Sequence, residues 1–457
     1  MFKKIKTLTN PIIIPLPVWS MHVATCLVME LLPGLTGTSR AQEWEYLGLP
    51  DQYIIDIVLQ SQDTIYAATP RLFGQTPGII FKTTNSGATW DTVLYYAGTL
   101  DLKMHPRNRE ILYAAMGSID PPYGILKTTN GGESWFHADS GMVVDWERLV
   151  QVVEFDPVHP ETLYAGTAGP FGGNIYKSTN GGGSWSALGS IEGVASIAVD
   201  QEFTETVYSG TVGGGFLEKS TDGGNTWNLT GLQGFGVVSL SIDPQDHLLI
   251  YAGVDTDGGG LQKSADGGIT WEVANSGFPP QSQAGDMIIE PMTRVVYATV
   301  AGYPDTGGVY RSTDLGDSWV ALEGLPSGNR FKGIAFSPDL QELYVSVIDY
   351  GVYRTSIVSH AHESSPFRAR ALTLYPNYPN PFNGSTVILY ELTETDEIEI
   401  SVYDLIGKEV AELVKGSRPP GRHSVFFDGV GLSTGTYFCH MSTVSAGNFI
   451  TRMLIIR

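Results

Sequence analysis

Six residues of this 457-residue chain have the types to do chemistry together if folding gathers them. Asp145, Glu147 and Asp286 could divide acid, base or nucleophile duty at a glycosidic bond, which takes two carboxyls facing each other across it. Arg71, Arg148 and Arg330 could clamp a ligand carboxylate with paired N–H donors. Trp146 and Phe235, with Phe73, Tyr123, Phe171, Phe278 and Tyr303, could offer flat faces to a sugar ring or a peptide. The plainer reading is that the charges are solvated or locally paired and the aromatics pack loops together. Spacing along the chain does not set the distances between these groups, so no residue is assigned a catalytic role. No nucleophile motif, phosphate loop or His-rich metal motif occurs. Asp255-Thr256-Asp257-Gly258 opens like a calcium loop without the rest of it, and His360 and His362 stand without further ligand types, so neither a metal nor a cofactor is expected.

The elements that must position these residues announce themselves by repetition. Lys219 to Trp227 reads KSTDGGNTW, and variants recur from Lys82 to Trp90, Lys127 to Trp135, Lys177 to Trp185, Lys263 to Trp271 and Arg311 to Trp319. The tryptophans lie 45, 50, 42, 44 and 48 residues apart, the period of one supersecondary unit repeated into an array or a ring. Each copy has the chemistry of a tight hairpin. An Asp or Asn (Asn85, Asn130, Asn180, Asp222, Asp266, Asp314) can fold back onto turn amides, glycines supply positive φ, and a tryptophan (Trp90, Trp135, Trp185, Trp227, Trp271, Trp319) opens the next strand.

Seven segments of the type Thr162-Leu163-Tyr164-Ala165-Gly166-Thr167 accompany only six hairpins. The missing outer strand appears at the other end, where Trp44-Glu45-Tyr46-Leu47-Gly48-Leu49-Pro50 mirrors Trp319 to Pro326. That splice would close a ring and leave no free edge, whereas an open solenoid leaves the early Trp44 strand unexplained.

The hairpin pattern resembles the Asp-box repeat of sialidases, sortilin-type receptors, xyloglucan-degrading enzymes and photosystem II assembly-factor-like propellers. The resemblance implies an all-β fold: a seven-bladed β-propeller over 42–358 whose boxes are structural hairpins on the periphery, away from the ligand face. The Phe/Tyr-Arg-Ile-Pro signature of sialidases is absent, which argues against their carboxylate clamp.

Composition agrees with a turn-rich β protein: 54 glycines, 11% aromatic and only 16% charged residues. Residues 1–41 read as a signal peptide, with Lys3, Lys4 and Lys6 ahead of a proline-interrupted apolar stretch and Ser39-Arg40-Ala41 as a cleavage site; translation starting at Met21 or Met29, or lipidation at Cys26, are alternatives. No uninterrupted apolar run reaches transmembrane length. Net charge is −21, and −24 without the leader, which disfavours nucleic acid as a partner. Loss of the leader would leave Cys439 as the one cysteine, so no internal disulfide is expected.

Residues 359–372 read as a polar linker. Beyond it, 373–457 is dense in strand patterning and suggests a small Ig-like β-sandwich. Tyr378-Pro379-Asn380-Pro381-Phe382-Asn383, Val402 to Val410, Pro420-Gly421-Arg422-His423, Leu432 to Phe438 and the closing Met453 to Arg457 resemble the C-terminal sorting domain of type IX secretion substrates. The resemblance implies the type IX machinery as a partner and passage through the periplasm to the outside of a Gram-negative bacterium.

The chain is therefore expected to be a secreted or cell-surface propeller that binds a glycan or protein through its loop face, with Arg71, Asp145, Trp146, Arg148, Phe235, Asp286 and Arg330 as candidate ligand contacts. A glycoside hydrolase of sialidase or xyloglucanase type, and an extracytoplasmic assembly or scaffold factor, are the alternatives.

Overall fold

The computed structural model describes residues 43–71, 78–95, 98–117, 124–143, 149–170, 172–212, 215–255, 259–302, 306–326, 331–357, 372–378, 380–382 and 384–456. The leader, the linker over 359–371, Asp145, Trp146, Glu147, Arg148, Arg330, Phe73, Tyr123, Phe171, Tyr303, His360 and His362 lie outside these residues, as do 256–258 of the calcium-like stretch. Among the described residues all regular structure is β and no helix occurs.

Four-stranded antiparallel sheets follow one another along the chain, seven of them between Glu45 and Ser356. Their innermost strands are Asp56–Leu59, Thr99–Met104, Leu149–Phe155, Val194–Val199, Val237–Asp243, Gln283–Ile289 and Phe331–Phe336. Each touches the next, and the last touches the first, so the sheets form a closed ring around a channel. Three strands of the last sheet come from Phe331–Phe336, Glu342–Val347 and Gly351–Ser356; its outermost is Glu45–Gly48, with Glu45 opposite Arg354 and Tyr46 opposite Tyr353. Thr355 donates to the Glu43 carbonyl and Trp44 to that of Glu323, so the splice is also tied by side chains.

Apolar clusters lie between adjacent sheets rather than at the channel. Tyr113, Ala115, Ile125, Val150, Leu163 and Trp185 form one such layer, and Tyr208, Leu217, Val237 and Ile250 another. Such layers form because successive strand residues face opposite sides, and each sheet presents one side to each neighbour.

The hairpins carry the expected local chemistry. Asp222 Oδ1 accepts from Thr226 N and from Ser220 Oγ, both at 2.8 Å, and Ser220 Oγ accepts from Gly224 N at 2.8 Å. Gly223 and Gly224 have φ of 69° and 92°, which favours glycine strongly. The same bonds recur at Asn85, Asn130, Asn180, Asp266 and Asp314. Two of the tryptophans tie backwards, Trp185 Nε1 donating to Ala138 O at 2.7 Å and Trp319 Nε1 to Ala274 O at 2.9 Å, each beside the preceding sheet, while Trp271 Nε1 bonds Gly268 O in its own hairpin.

The C-terminal residues form a three-stranded sheet (Thr373–Leu374, Ser385–Leu392, Gly421–Asp428) and a four-stranded one (Asp396–Asp404, Glu409–Arg418, Gly435–Thr443, Gly447–Ile455) around one core that includes Phe382, Ile400, Cys439 and Met453. Burial pushes the Cys439 thiol up to about 12, so it packs as a small apolar side chain rather than a reactive one.

Candidate functional site

In a four-stranded antiparallel sheet the first turn and the third-to-fourth hairpin share one end, so the six hairpins lie on the face of the first-to-second-strand turns. The other face carries the connections between sheets and the second-to-third-strand loops.

The inner strands run from that loop face down the channel, and a bulge sets their side chains. Pairing with the second strand slips between Thr99 and Asp101, Val150 and Val152, Val194 and Ser196, Val237 and Ser239, Ala284 and Met287, and Phe331 and Ile334. A bulge re-aims one residue out of the ladder. Aligned on the residue that begins each first turn (Gln60, His105, Asp156, Asp200, Asp243, Glu290, Ser337), the position four residues earlier is Asp56, Asp101, Val152, Ser196, Ser239, Asp286 and Gly333. One tier near the loop-face end of the channel thus holds three carboxylates.

Two of the three tie the ring. Asp56 accepts from Ile57 N through one oxygen and from Leu102 N through the other, each at 2.8 Å, and Asp101 accepts from Val153 N at 2.8 Å. Ser196 and Ser239 do the same job with reversed polarity, donating to Val237 O and Gly285 O of the next sheet. Asp286 is different. No described residue hydrogen-bonds its carboxylate, and its side chain is open to the channel.

Lys103, two residues below Asp101 on the same strand, lies 3.0 Å from Glu154 and 3.8 Å from Asp101. Burial pushes the Asp101 carboxyl up to about 6, against the opposing pull of Lys103 and the Val153 amide. Asp56 is held well above the carboxylate range by burial and then by Asp101 and Asp286. Although its side chain is open to the channel, the protein packed around it raises Asp286 too, with Lys103 and Lys332 working the other way. Burial pulls the Lys103 ammonium down, but Asp101, Glu154 and Asp56 more than reverse that and hold it charged. The tier can therefore accept hydrogen bonds at Asp286 and exchange protons near neutrality at Asp101.

Asp286 is the expected ligand contact that reaches this tier. Phe235 is half-buried against the layer of Leu217, Leu232 and Val237, so its ring packs a sheet edge. Phe278 is held by Tyr310 and Trp319, each with ring centroids 5.0 Å away. Arg71 is half-buried just beyond the strand Ile65–Ala68. Asp56, Asp101, Lys103, Glu154 and Lys332 were not among the candidates read from the sequence. The one signal for them is alignment on the first turns, which sets Asp56 and Asp101 four residues before the turn and Lys103 and Glu154 two before it; Lys332, five before, has none. Among the described residues no group of His, Cys, Asp and Glu side chains is arranged to hold a metal.

The hairpin face is partly covered. Met292 and Leu340 of the ring pack with Val387 and Leu389 of the C-terminal sheets, and Gln201 Nε2 reaches Tyr378 at 3.5 Å. Between them lies a cavity of about 680 Å³, walled by Pro106, Pro157, Pro244 and Pro338 on one side and Phe382, Phe426 and Leu454 on the other.

Residues 377–457 match the secretion system C-terminal sorting domain family. No curated protein sequence matches the chain significantly. Among solved structures, PorZ, described as an essential bacterial surface component of the type IX secretion system of Porphyromonas gingivalis, superposes with a TM-score of 0.50 at 13% identity over 90% of this chain and 60% of that one. An ancestral GH74 enzyme gives 0.44 at 18% identity over 70% of this chain and 38% of its own, and YCF48 from Cyanidioschyzon merolae 0.48 at 17% over 68% and 98%. The chain thus spans less than two thirds of PorZ and well under half of the GH74 enzyme. At such identities the likeness is one of fold, a β-propeller, and the sorting tail rests on the family match alone. The tail marks the chain for export by the type IX secretion system to the cell surface or the medium. No helix of the described residues is long and apolar enough to cross a membrane.

Proposed function

We propose that this exported propeller is a binding protein that holds a polyhydroxylated ligand, a glycan chain, at the loop-face mouth of its channel without cleaving it. The observation that carries the reading is the division of labour among the three channel carboxylates. Both oxygens of Asp56 are committed to amides, and Asp101 is shared between the Val153 amide and Lys103. Glycoside cleavage takes two carboxyls free to act on one bond. Only Asp286 keeps its hydrogen-bonding capacity for a ligand, with the ammonium groups of Lys103 and Lys332 near enough to influence it. One free acceptor flanked by donors suits sugar hydroxyls, which both give and take hydrogen bonds. Packing of the sorting domain on the hairpin face supports the assignment, because it leaves the opposite face for ligands. Arg71, and also Asp145, Trp146, Arg148 and Arg330, belong to this proposal as rim contacts around the mouth.

A cleavage reading has one observation in its favour: a carboxyl that titrates near 6, as that of Asp101 does, is in the range of a general acid. A glycan-array screen of the mature chain, with every bound glycan checked for cleavage products, separates the two. Retention without products supports binding, turnover supports cleavage, and silence on all glycans removes both.

A further inference from the structure

The ring closes on the loop face at a cleft walled by tyrosines. After Glu45–Gly48 completes the last sheet, the chain crosses beside the turn that joins Glu342–Val347 to Gly351–Ser356. Asp51 N donates to Asp349 O at 3.0 Å and Asp349 N to Gln52 O at 3.1 Å. Leu49, Asp51 and Asp349 stand beside these bonds at φ of 61°, 58° and 66°, a region that non-glycine residues enter at a cost. Between the two segments lies a cleft of about 470 Å³ lined by Tyr46, Pro50, Asp51, Asp349, Tyr350 and Tyr353.

The lining has a definite chemical bias. Tyr46 and Tyr350 are 47% and 46% exposed, and the Tyr46 and Tyr353 rings stand 5.3 Å apart at 51°. Burial and then the Asp51 charge raise the Tyr46 hydroxyl, which keeps it neutral. Neither Asp51 nor Asp349 forms an ion pair with a described residue. Arg354, next in sequence to Tyr353, points to the other side of the strand and is taken by Glu45 at 2.8 Å. Aromatic faces and carboxylates both attract positive charge. Apart from the phenols, the lining side chains offer no donor. The three phenol hydroxyls can meet a polyol's acceptors, but the two carboxylates and the ring faces act together only on a group that is positively charged and donates.

We infer that this cleft binds a cationic group, an alkylammonium or guanidinium, carried by a peptide side chain or an amino sugar. It shares no lining residue with the channel tier and stands whether or not a glycan occupies the channel mouth.

The test is ligand-observed saturation-transfer NMR on the full mature chain at low salt, with Nα-acetyl-lysine amide against its neutral counterpart Nα-acetyl-norleucine amide, and glucosamine against N-acetylglucosamine, the sugar pair being read on Asp286→Ala so that the channel does not contribute. The expected result is a signal for one or both ammonium probes, on the order of tenfold weaker for the matched neutral probe and reduced by added salt. Preference between the two ammonium probes assigns the source. Asp349→Asn, which tolerates positive φ, and Tyr350→Ala should each lose most of the signal without a change in unfolding temperature, while Asp286→Ala should keep it. Equal signals from neutral and charged probes, no signal from either ammonium probe, or undiminished binding by both cleft variants would overturn the inference.

Discussion

The ammonium of Lys127 lies 2.8 Å from the carbonyl oxygen of Gly181, in the hairpin of the next sheet. The Tyr113 hydroxyl donates to the same oxygen at 2.7 Å, and the ammonium sits 4.9 Å above the Tyr113 ring. Lys82 and Tyr66 treat Gly131 alike, as do Lys177 and Tyr164 with Gly223, and Lys219 and Tyr208 with Gly267. In the fifth sheet Tyr251 meets Leu315 O while Lys263 turns to Asp317. In four of the six copies the opening lysine is thus the staple to the following sheet, which explains a charge at a half-buried position.

That carbonyl has two lone pairs and two donors, so either donor can be lost without orphaning it. Tyr113→Phe and Lys127→Met are each expected to cost ~1 kcal/mol, and the double variant more than their sum, because only then is the buried acceptor unsatisfied. Chemical denaturation of the four proteins checks this, and strict additivity would remove the shared-acceptor account.

Asp266 gives an acid-side dependence. Its carboxylate is held down to about 2, first by the Thr270 hydroxyl and then by the Thr270 amide. A lowered folded value means that its contribution is present above the unfolded value of 3.8 and is lost as pH falls towards 2. Asp266→Asn should therefore flatten the decline in melting temperature over that window relative to the parent.

Asp101 has the opposite sign. Its folded carboxyl titrates near 6, above the unfolded 3.8, so stability falls as pH rises between those values. Asparagine keeps an acceptor for the Val153 amide and removes the buried charge. Asp101→Asn is expected to be more stable than the parent by ~1–3 kcal/mol above pH 6, with the gap closing below pH 4. Melting curves across that range decide it.

The outer strand Glu45–Gly48 protects the edge of Gly351–Ser356. A chain that begins at Pro50 should expose that edge and drive association. Light scattering during concentration measures it; a monodisperse monomer with the parent melting temperature would contradict the role given to the splice.

The hairpins were legible because their chemistry is local: Ser220, Asp222, Gly224 and Thr226 meet within one turn. The pairing of Glu45–Gly48 with Gly351–Ser356 could be read from the likeness of the Trp44 and Trp319 stretches, and the sorting tail from ordered motifs. The channel tier was not legible, because Asp56 and Asp286 lie far apart in sequence and come together only once the ring closes. Nor did the sequence tell which aromatics are open. Phe235 and Phe278 lie in loop-like stretches and are packed, whereas Tyr46 and Tyr350 lie beside regular strands and are exposed, a difference set by tertiary packing.

Ligand capture at Asp286 without turnover is tested by measuring glycan retention by the mature chain and by Asp286→Asn, with product analysis on both. The account predicts intact glycans on the parent, on the order of tenfold weaker retention by the variant, and equal melting temperatures. Cleavage products from the parent, or undiminished retention by the variant, would contradict it.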